Sequence, residues 1–197
     1  MTSNQLTLPA FPLKTILLPG EATKLHIFED RYKELVQDCL DNDASFAIPF
    51  FENGKMSNYG CEVKIKNVVK EYADGKKDIL IECVRILTII EYSETLSPKL
   101  YGAVLIEFEK ENTVITNSNL QDAIIHYFST VQNKMIDYDT LSKLSVYNIA
   151  ASLQLTAQEK LELVASHNKQ AVLLNQIKFI THIVNAEQQL NNKFMFN

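Results

Sequence analysis

The hydrophobic pattern of the chain changes about halfway along its length. Up to about Glu109, apolar residues form short runs or alternate with polar ones, as Val63 and Ile65 do between charges, which predicts β-strands. The adjacent pair Val68-Val69 breaks this alternation and predicts a β-bulge. Beyond the polar segment Asn112–Asn117, apolar residues recur every three to four positions, which predicts helices. We therefore expect a β-rich part, residues 1–112, and a helical part, residues 113–197.

Turn residues divide the β-rich part into strands. The apolar run Leu13–Leu18 predicts a strand that ends at Pro19-Gly20, a pair suited to the centre of a type II turn. The run Phe46–Phe51 contains Pro49, which cannot donate to a sheet ladder, so this strand should lie at an edge or carry a bulge. Asp74-Gly75 predicts a β-hairpin with a type I′ turn.

One amphipathic helix is predicted between the first two strands. Its charged face carries Glu29, which can pair with Lys33 one turn later. Its apolar face is predicted to join the core, and it consists of Phe28, Tyr32, Leu35, Val36 and Cys39.

Capping signals mark the starts of two helices in the helical part. Ser118 and Thr156 each begin a capping box, and an apolar stripe follows the first of them from Leu120 to Met135. A second helix is predicted through Leu141–Leu153 and a short one after Thr156. From Lys169 onward a long helix is predicted that packs on two neighbours, with Phe179, Ile183 and Leu190 beside its main stripe.

Composition narrows the class of protein. The chain has 197 residues, of which 46% are hydrophobic and 22% charged, as in ordinary globular proteins. The formal net charge of −5 and the lack of a basic stripe argue against nucleic acid as a partner. No apolar run reaches the ~20 residues of a membrane span. Cys39, Cys61 and Cys83 are odd in number and far apart, which favours reduced thiols and a cytoplasmic protein.

Motifs for catalysis, cofactors and metals are not found. No two of the five glycines have P-loop spacing, and no G-x-S-x-G elbow or histidine-cysteine ligand pair occurs. His26 is interpreted as a strand-end histidine that donates to the backbone, and His126 as a surface or interface histidine. We expect a non-enzymatic protein that carries no cofactor and no metal.

Two segments are candidates for binding. The predicted loop FFENGKMSNYG contains Phe51, Met56 and Tyr59, whose side chains suit adaptable contacts with a peptide. The alternative, which general burial preferences favour, is that they close the open end of a barrel. At the C-terminus, Phe194, Met195 and Phe196 either fold back on the helices or contact a partner.

The opening stretch resembles the N-terminal, substrate-binding domain of Lon proteases. The pattern reads L-P-x-F-P-L, then P-G, then L-x-I-F-E-x-R-Y, and weaker matches continue at Gly60, Asp74-Gly75, Ile81-Glu82 and LTAQEKLELV. The positions that match the opening pattern are Leu8, Pro9, Phe11, Pro12, Leu13, Pro19, Gly20, Leu25, Ile27, Phe28, Glu29, Arg31 and Tyr32. The resemblance covers nearly the whole chain.

This resemblance implies an α+β fold with a PUA-like β-barrel subdomain, one inserted helix and a C-terminal helical bundle. It also implies recognition of unfolded or tagged polypeptides, with a protease as a further partner. The ATPase and Ser-Lys peptidase of full-length Lon do not fit within 197 residues, so we expect a stand-alone, non-catalytic Lon N-domain protein. Cys83 and Ile86-Leu87 depart from the family pattern, which puts family contacts on that strand in doubt.

Three functions follow from these observations. The first is a protein-binding module that acts as an adaptor or regulator of proteolysis. The second is RNA binding by a PUA-like barrel, which requires a localised basic groove. The third is small-molecule sensing, by fold analogy to the Lon-like domain of cereblon-type proteins.

Overall fold

The chain forms an α+β fold built on one six-stranded sheet. The computed structural model describes residues 5–107 and 113–195, with side chains up to Leu190. Its strands are β1 Gln5–Ala10, β2 Ala22–Ile27, β3 Phe46–Glu52, β4 Lys55–Glu71, β5 Lys77–Ser93 and β6 Gly102–Glu107. Its helices are α1 Asp30–Asn42, α2 Ser118–Thr130, α3 Tyr138–Ser142, α4 Val146–Ala151, α5 Ala157–Ala165 and α6 Lys169–Met195.

The long strand β5 organises the sheet. β4 pairs antiparallel with one edge of β5, whereas β2 and β6 pair with the first and last parts of its other edge. β1 is antiparallel to β6 and parallel to β3, and β3 is antiparallel to β4. Strand pairing therefore runs from β5 through β4, β3, β1 and β6 and returns to β5.

Strand alternation supplies the core of this sheet. In β5, Ile79, Ile81 and Cys83 are buried, and the residues between them are partly exposed. One cluster of buried side chains joins β1, β3, β5 and β6, and its members are Leu8, Ala10, Ala47, Leu87, Ile89, Val104 and Ile106. β-Branched and aliphatic side chains pack well on a pleated surface, which explains why these runs form strands.

The first predicted turn is confirmed and the second is wrong in type. Glu21 N–H donates to Leu18 O at 2.9 Å, and Gly20 has φ +88°, as a type II turn requires. In the hairpin between β4 and β5 only Gly75 has positive φ, and its N–H donates to Tyr72 O at 2.9 Å. A type I′ turn needs two residues with positive φ, so this longer connection is of another kind.

The bulges at Pro49 and Val68 are confirmed, but the strand Leu13–Leu18 is not. Register shifts occur between Pro49 and Phe51 and between Val68 and Lys70. Leu13–Leu18 contributes only an isolated bridge from Leu13 to Phe50. The run is apolar because residues such as Leu18 are fully buried, not because it pairs along its length.

Helix α1 begins two residues later than its apolar pattern suggests. Glu29 has an extended backbone, so Phe28 lies outside the helix and is 57% exposed, contrary to prediction. The other predicted core residues of this helix, Tyr32, Leu35, Val36 and Cys39, are buried. Lys33 pairs with Asp30 at 3.0 Å instead of Glu29.

The described residues divide into two compact units. The first comprises residues 5–107 with Leu155–Val164, and the second comprises residues 113–154 and 165–195. Within the first unit, Lys160 of α5 pairs with Glu21 at 2.6 Å, and the two side chains are only 13% and 16% exposed. The division at residue 112 that the sequence suggests stays a prediction.

The second unit differs from its predicted helices in two places. α2 ends at Thr130, and Met135 is 93% exposed, so the predicted stripe is too long. Its cap is Asn117, whose side chain accepts from Leu120 N–H, rather than Ser118. The predicted helix through Leu141–Leu153 is two short helices, α3 and α4, because Ser145 starts a new capping box.

The last helix packs on two neighbours, as predicted, but the apolar residues beside its main stripe are not buried. α6 packs against α2 and α4, with Leu173 and Ile177 fully buried. Phe179, Ile183 and Leu190 are exposed. In residues 5–107 and 113–195, no helix has both the length and the apolar composition that crossing a membrane requires.

Candidate functional site

A cavity of about 420 Å³ lies in the first unit, between α1, the β3–β4 hairpin and the segment after β5. We call it the aromatic cleft. Its apolar wall consists of Pro12, Tyr32, Phe51, Met56, Tyr92 and Leu100, and its polar wall of Arg31, Glu94 and Thr95. Its volume falls within the range of about 300–1,000 Å³ that is typical of ligand sites.

The β3–β4 hairpin places two of the predicted binding residues together. Asn53 and Gly54 have φ +51° and +74°, the pair of values that a two-residue type I′ turn requires. Phe51 lies directly opposite Met56 in the strand register, so both side chains reach the cleft. The segment FFENGKMSNYG is therefore a hairpin rather than a loop, and Asn53-Gly54 was the signal that could have predicted it.

Tyr59 lies apart from these two residues. It is half-buried on β4 opposite Thr88 of β5, and it does not belong to the cleft wall. Residues 194–196, the other predicted contact segment, have side chains outside the described part of the chain.

Helix α1 supplies an aromatic ring and a cation to the cleft. Phe11 stacks on Tyr32 with ring centroids 3.8 Å apart, which holds the tyrosine ring in place. Arg31 lies over the same tyrosine, with its guanidinium carbon 4.5 Å from the ring centroid. The Nε and Nη2 of Arg31 lie 2.9 and 2.8 Å from Oε2 of Glu29, which compensates the positive charge.

The segment after β5 forms the remaining wall and is tied to α1. Leu100 N–H donates to Glu34 Oε2 at 2.9 Å, while Lys99 Nζ and the Tyr101 hydroxyl both donate to Asp38 Oδ2 at 2.6 Å. Hydrogen bonds from Lys99 and then Tyr101 lower the pKa of Asp38. This network ties Leu100, one of the cleft residues of this segment, to α1.

The two tyrosines of the cleft are affected both by burial and by the charged residues beside them. Burial raises the pKa of Tyr92, and the nearby charge of Glu94 raises it further. Burial also raises the pKa of Tyr32, with Arg31 acting in the opposite direction. Aromatic rings here are thus partly desolvated and lie close to one cation and one anion.

The second β-hairpin carries a surface cluster that is not arranged for catalysis. His26 Nδ1 lies 2.6 Å from Asp78 Oδ1, and the Tyr72 hydroxyl donates to Asp78 Oδ2 at 2.8 Å. The interpretation of His26 as a backbone donor is wrong because the register of β2 and β5 places it opposite Asp78. Nucleophilic catalysis by this histidine would need a hydroxyl or thiol that donates to it, whereas the Tyr72 hydroxyl donates to Asp78.

The described residues contain neither a reactive cysteine nor a cluster of metal ligands. Cys39, Cys61 and Cys83 are free and buried, as predicted, and burial raises the pKa of Cys39 to about 11. Such a thiol is protonated and unreactive at neutral pH. Within 5–107 and 113–195, no group of three or more histidine, cysteine or carboxylate side chains could hold a metal ion. His126 is exposed, as predicted.

Two lysines of the β4–β5 hairpin are paired with acids, and Lys70 Nζ lies 4.4 Å from the centroid of the Tyr72 ring. Lys66 contacts Glu82 at 3.1 Å, and Lys77 contacts Glu71 at 2.6 Å. Charges compensated in this way do not form the unpaired basic groove that binds a phosphate backbone.

Comparison with known proteins connects this fold to a family. The family model described as the ATP-dependent protease La (LON) substrate-binding domain matches residues 7–190. The chain belongs to the Lon substrate-binding domain family. The resemblance found in the opening stretch is thereby confirmed over almost the full length.

Two solved structures have the same fold. A Lon N-terminal domain protein from Xanthomonas campestris is 20% identical, with a TM-score of 0.67 and coverage of 88% of this chain and 98% of that one. The N-terminal domain of a Lon protease from the Mycobacterium avium complex is 15% identical, with a TM-score of 0.64 and coverage of 89% and 98%. Among curated proteins, no match is found.

Proposed function

We propose that this Lon substrate-binding domain binds extended polypeptides through the aromatic cleft. The observation that carries the proposal is that Phe51 and Met56, opposite each other in the β3–β4 hairpin, line a cavity of about 420 Å³ together with Tyr32 and Tyr92. Phe51 is 40% exposed, so its ring is available to a partner. Aromatic residues and methionine at the centre of a concave surface are the typical anchors of protein recognition.

The geometry suits side chains of an unfolded chain. Methionine adapts its shape to different apolar partners, while the stacked Tyr32 keeps its position. A second cavity of about 330 Å³ shares Met56 and reaches α5 at Gln158 and Leu161. Both cavities lie in the first unit, so an extended peptide that passes Met56 could place side chains in each.

The family relationship extends this proposal to proteolysis. We propose that the domain presents unfolded or tagged polypeptides to a protease as an adaptor or regulator, in the cytoplasm and without chemistry of its own. Support comes from the family description as a substrate-binding domain. The return of strand pairing to β5 supports the further proposal that the sheet closes as a PUA-like barrel.

Binding of a fluorescein-labelled, permanently unfolded model polypeptide tests the proposal. We expect anisotropy titrations to show saturable binding, and Phe51→Ser to weaken it by about tenfold or more, as loss of a central aromatic anchor does. Ile90→Ser is the matched control because Ile90 is similarly exposed, at 46%, on β5 of the same unit and outside the cleft wall.

Two results would contradict the proposal. One is wild-type protein that binds no unfolded chain. The other is equal weakening by Phe51→Ser and Ile90→Ser, which would place binding elsewhere.

A further inference from the structure

The aromatic cleft contains two charged residues that differ in their partners. Arg31 is neutralised by Glu29, since two of its nitrogens lie within 2.9 Å of one carboxylate oxygen. Glu94 is exposed just beyond the end of β5, and in the described part of the chain its carboxylate has no hydrogen bond or ion pair. The cleft therefore presents one uncompensated negative charge.

The surroundings of Glu94 strengthen its attraction for a cation. Its charge acts on Tyr92, whose ring is partly desolvated in the same cleft. The ring faces of Tyr92 and Phe51 carry negative quadrupole potential, which favours cations and disfavours anions. A ligand carboxylate would meet in Arg31 a cation whose charge the nearby Glu29 carboxylate already largely compensates.

We propose that the cleft selects polypeptide segments in which an apolar anchor residue is flanked by lysine or arginine. The apolar side chain occupies the space between Phe51, Met56 and Tyr92, and Glu94 pairs with the flanking cation. Segments with flanking acids are rejected by the same carboxylate. This inference rests on the proposed peptide binding and adds its charge selectivity.

Matched peptides test the selectivity. Three fluorescein-labelled glycine-serine peptides would each carry one phenylalanine, flanked by lysines, glutamines or glutamates. We expect the full chain to prefer the lysine peptide over the glutamate peptide by about fivefold at low salt, as for a partly exposed ion pair. The preference should shrink as salt screens it.

Substitutions of one residue locate the effect. Glu94→Gln should bring the affinities of the three peptides close together, and Glu94→Lys should reverse the order. Glu91→Gln removes the same charge three residues earlier on β5, outside the cleft wall, and should leave the preference unchanged.

The outcomes separate this inference from the proposed function. Equal binding of the three peptides that is still lost in Phe51→Ser would refute charge selection and leave peptide binding standing. An equal loss of preference in Glu91→Gln would assign the selectivity to the net charge of the protein and overturn the role of Glu94. Failure of all peptides and of an unfolded polypeptide to bind would overturn the proposed function itself.

Discussion

Replacement of Arg85 by methionine should destabilise the first unit through its buried partner, Glu62. These residues are directly opposite on β4 and β5, and Arg85 Nε lies 2.6 Å from Glu62 Oε2. The glutamate is 6% exposed, so Arg85→Met leaves a carboxylate buried with Ser45 as its remaining hydroxyl donor, at 2.5 Å. Breaking a buried pair costs about 3–5 kcal/mol.

The expected loss is smaller because one partner of this pair is accessible to water. Because the side chain of Arg85 is 50% exposed, we expect Arg85→Met to lower the free energy of unfolding by about 2 kcal/mol. With a slope of about 2 kcal/mol per molar urea, the midpoint of unfolding should fall by about 1 M. Because the chain lacks tryptophan, circular dichroism and tyrosine fluorescence are the suitable probes.

Two further variants make the prediction specific to the buried charge. Glu62→Gln in the Arg85→Met background should recover about 1 kcal/mol, since a buried neutral amide is less costly than a buried carboxylate. Lys66→Met breaks the exposed pair with Glu82, whose partners are 51% and 40% exposed, and should cost less than about 1 kcal/mol. If Arg85→Met costs no more than Lys66→Met, or if Glu62→Gln gives no recovery, the reasoning about burial is wrong.

Three other predictions follow from single side chains. Because the hydrogen bond from Lys99 lowers the pKa of Asp38 in the fold, the contribution of Asp38 to stability should be complete above about pH 5 and disappear as the pH falls below about 4. The free energies of unfolding of wild type and Asp38→Asn, measured by urea titration, should therefore converge in acid, and a difference that stays constant with pH would contradict this. Gly60→Ala should lower the free energy of unfolding by about 2 kcal/mol in the same urea titration, because the added Cβ would lie 2.6 Å from the carbonyl oxygen of Ile48. An unchanged midpoint would show that the strands can shift freely. The thiol of Cys39, with its pKa raised by burial, should react with a disulfide reagent no faster than the protein unfolds, and rapid labelling of native protein would show that this site opens.

Local signals predicted the parts of the fold that depend on local chemistry. Pro19-Gly20 forms its type II turn, and Thr156 forms its capping box with Glu159, because a turn or cap needs only a few neighbouring residues. The bulge at Pro49 follows from the missing N–H of proline.

Errors arose where distant contacts determine the outcome. Leu13–Leu18 is apolar because it is buried, and period alone cannot distinguish a buried irregular segment from a strand. Phe28 matched the helical stripe but is exposed, since the extended Glu29 delays the helix.

The cleft could be predicted only in part. Phe51 and Met56 were candidates because exposed aromatic and methionine side chains suit binding, and the structure places both on one wall. Tyr32, Tyr92 and Leu100 come from separate elements that only the tertiary fold brings together. Arg31 is paired with Glu29, and a pairing of this kind depends on side-chain geometry that a sequence pattern does not contain.

Photo-crosslinking shows directly whether polypeptide binds at the aromatic cleft. An unfolded polypeptide with a diazirine amino acid would be irradiated with the full chain, and the crosslinked residues identified by mass spectrometry. Binding at the cleft predicts crosslinks to Phe51, Met56 and Tyr92 that Phe51→Ser reduces. Crosslinks confined to the exposed side chains of α6, such as Phe179 and Ile183, would contradict it.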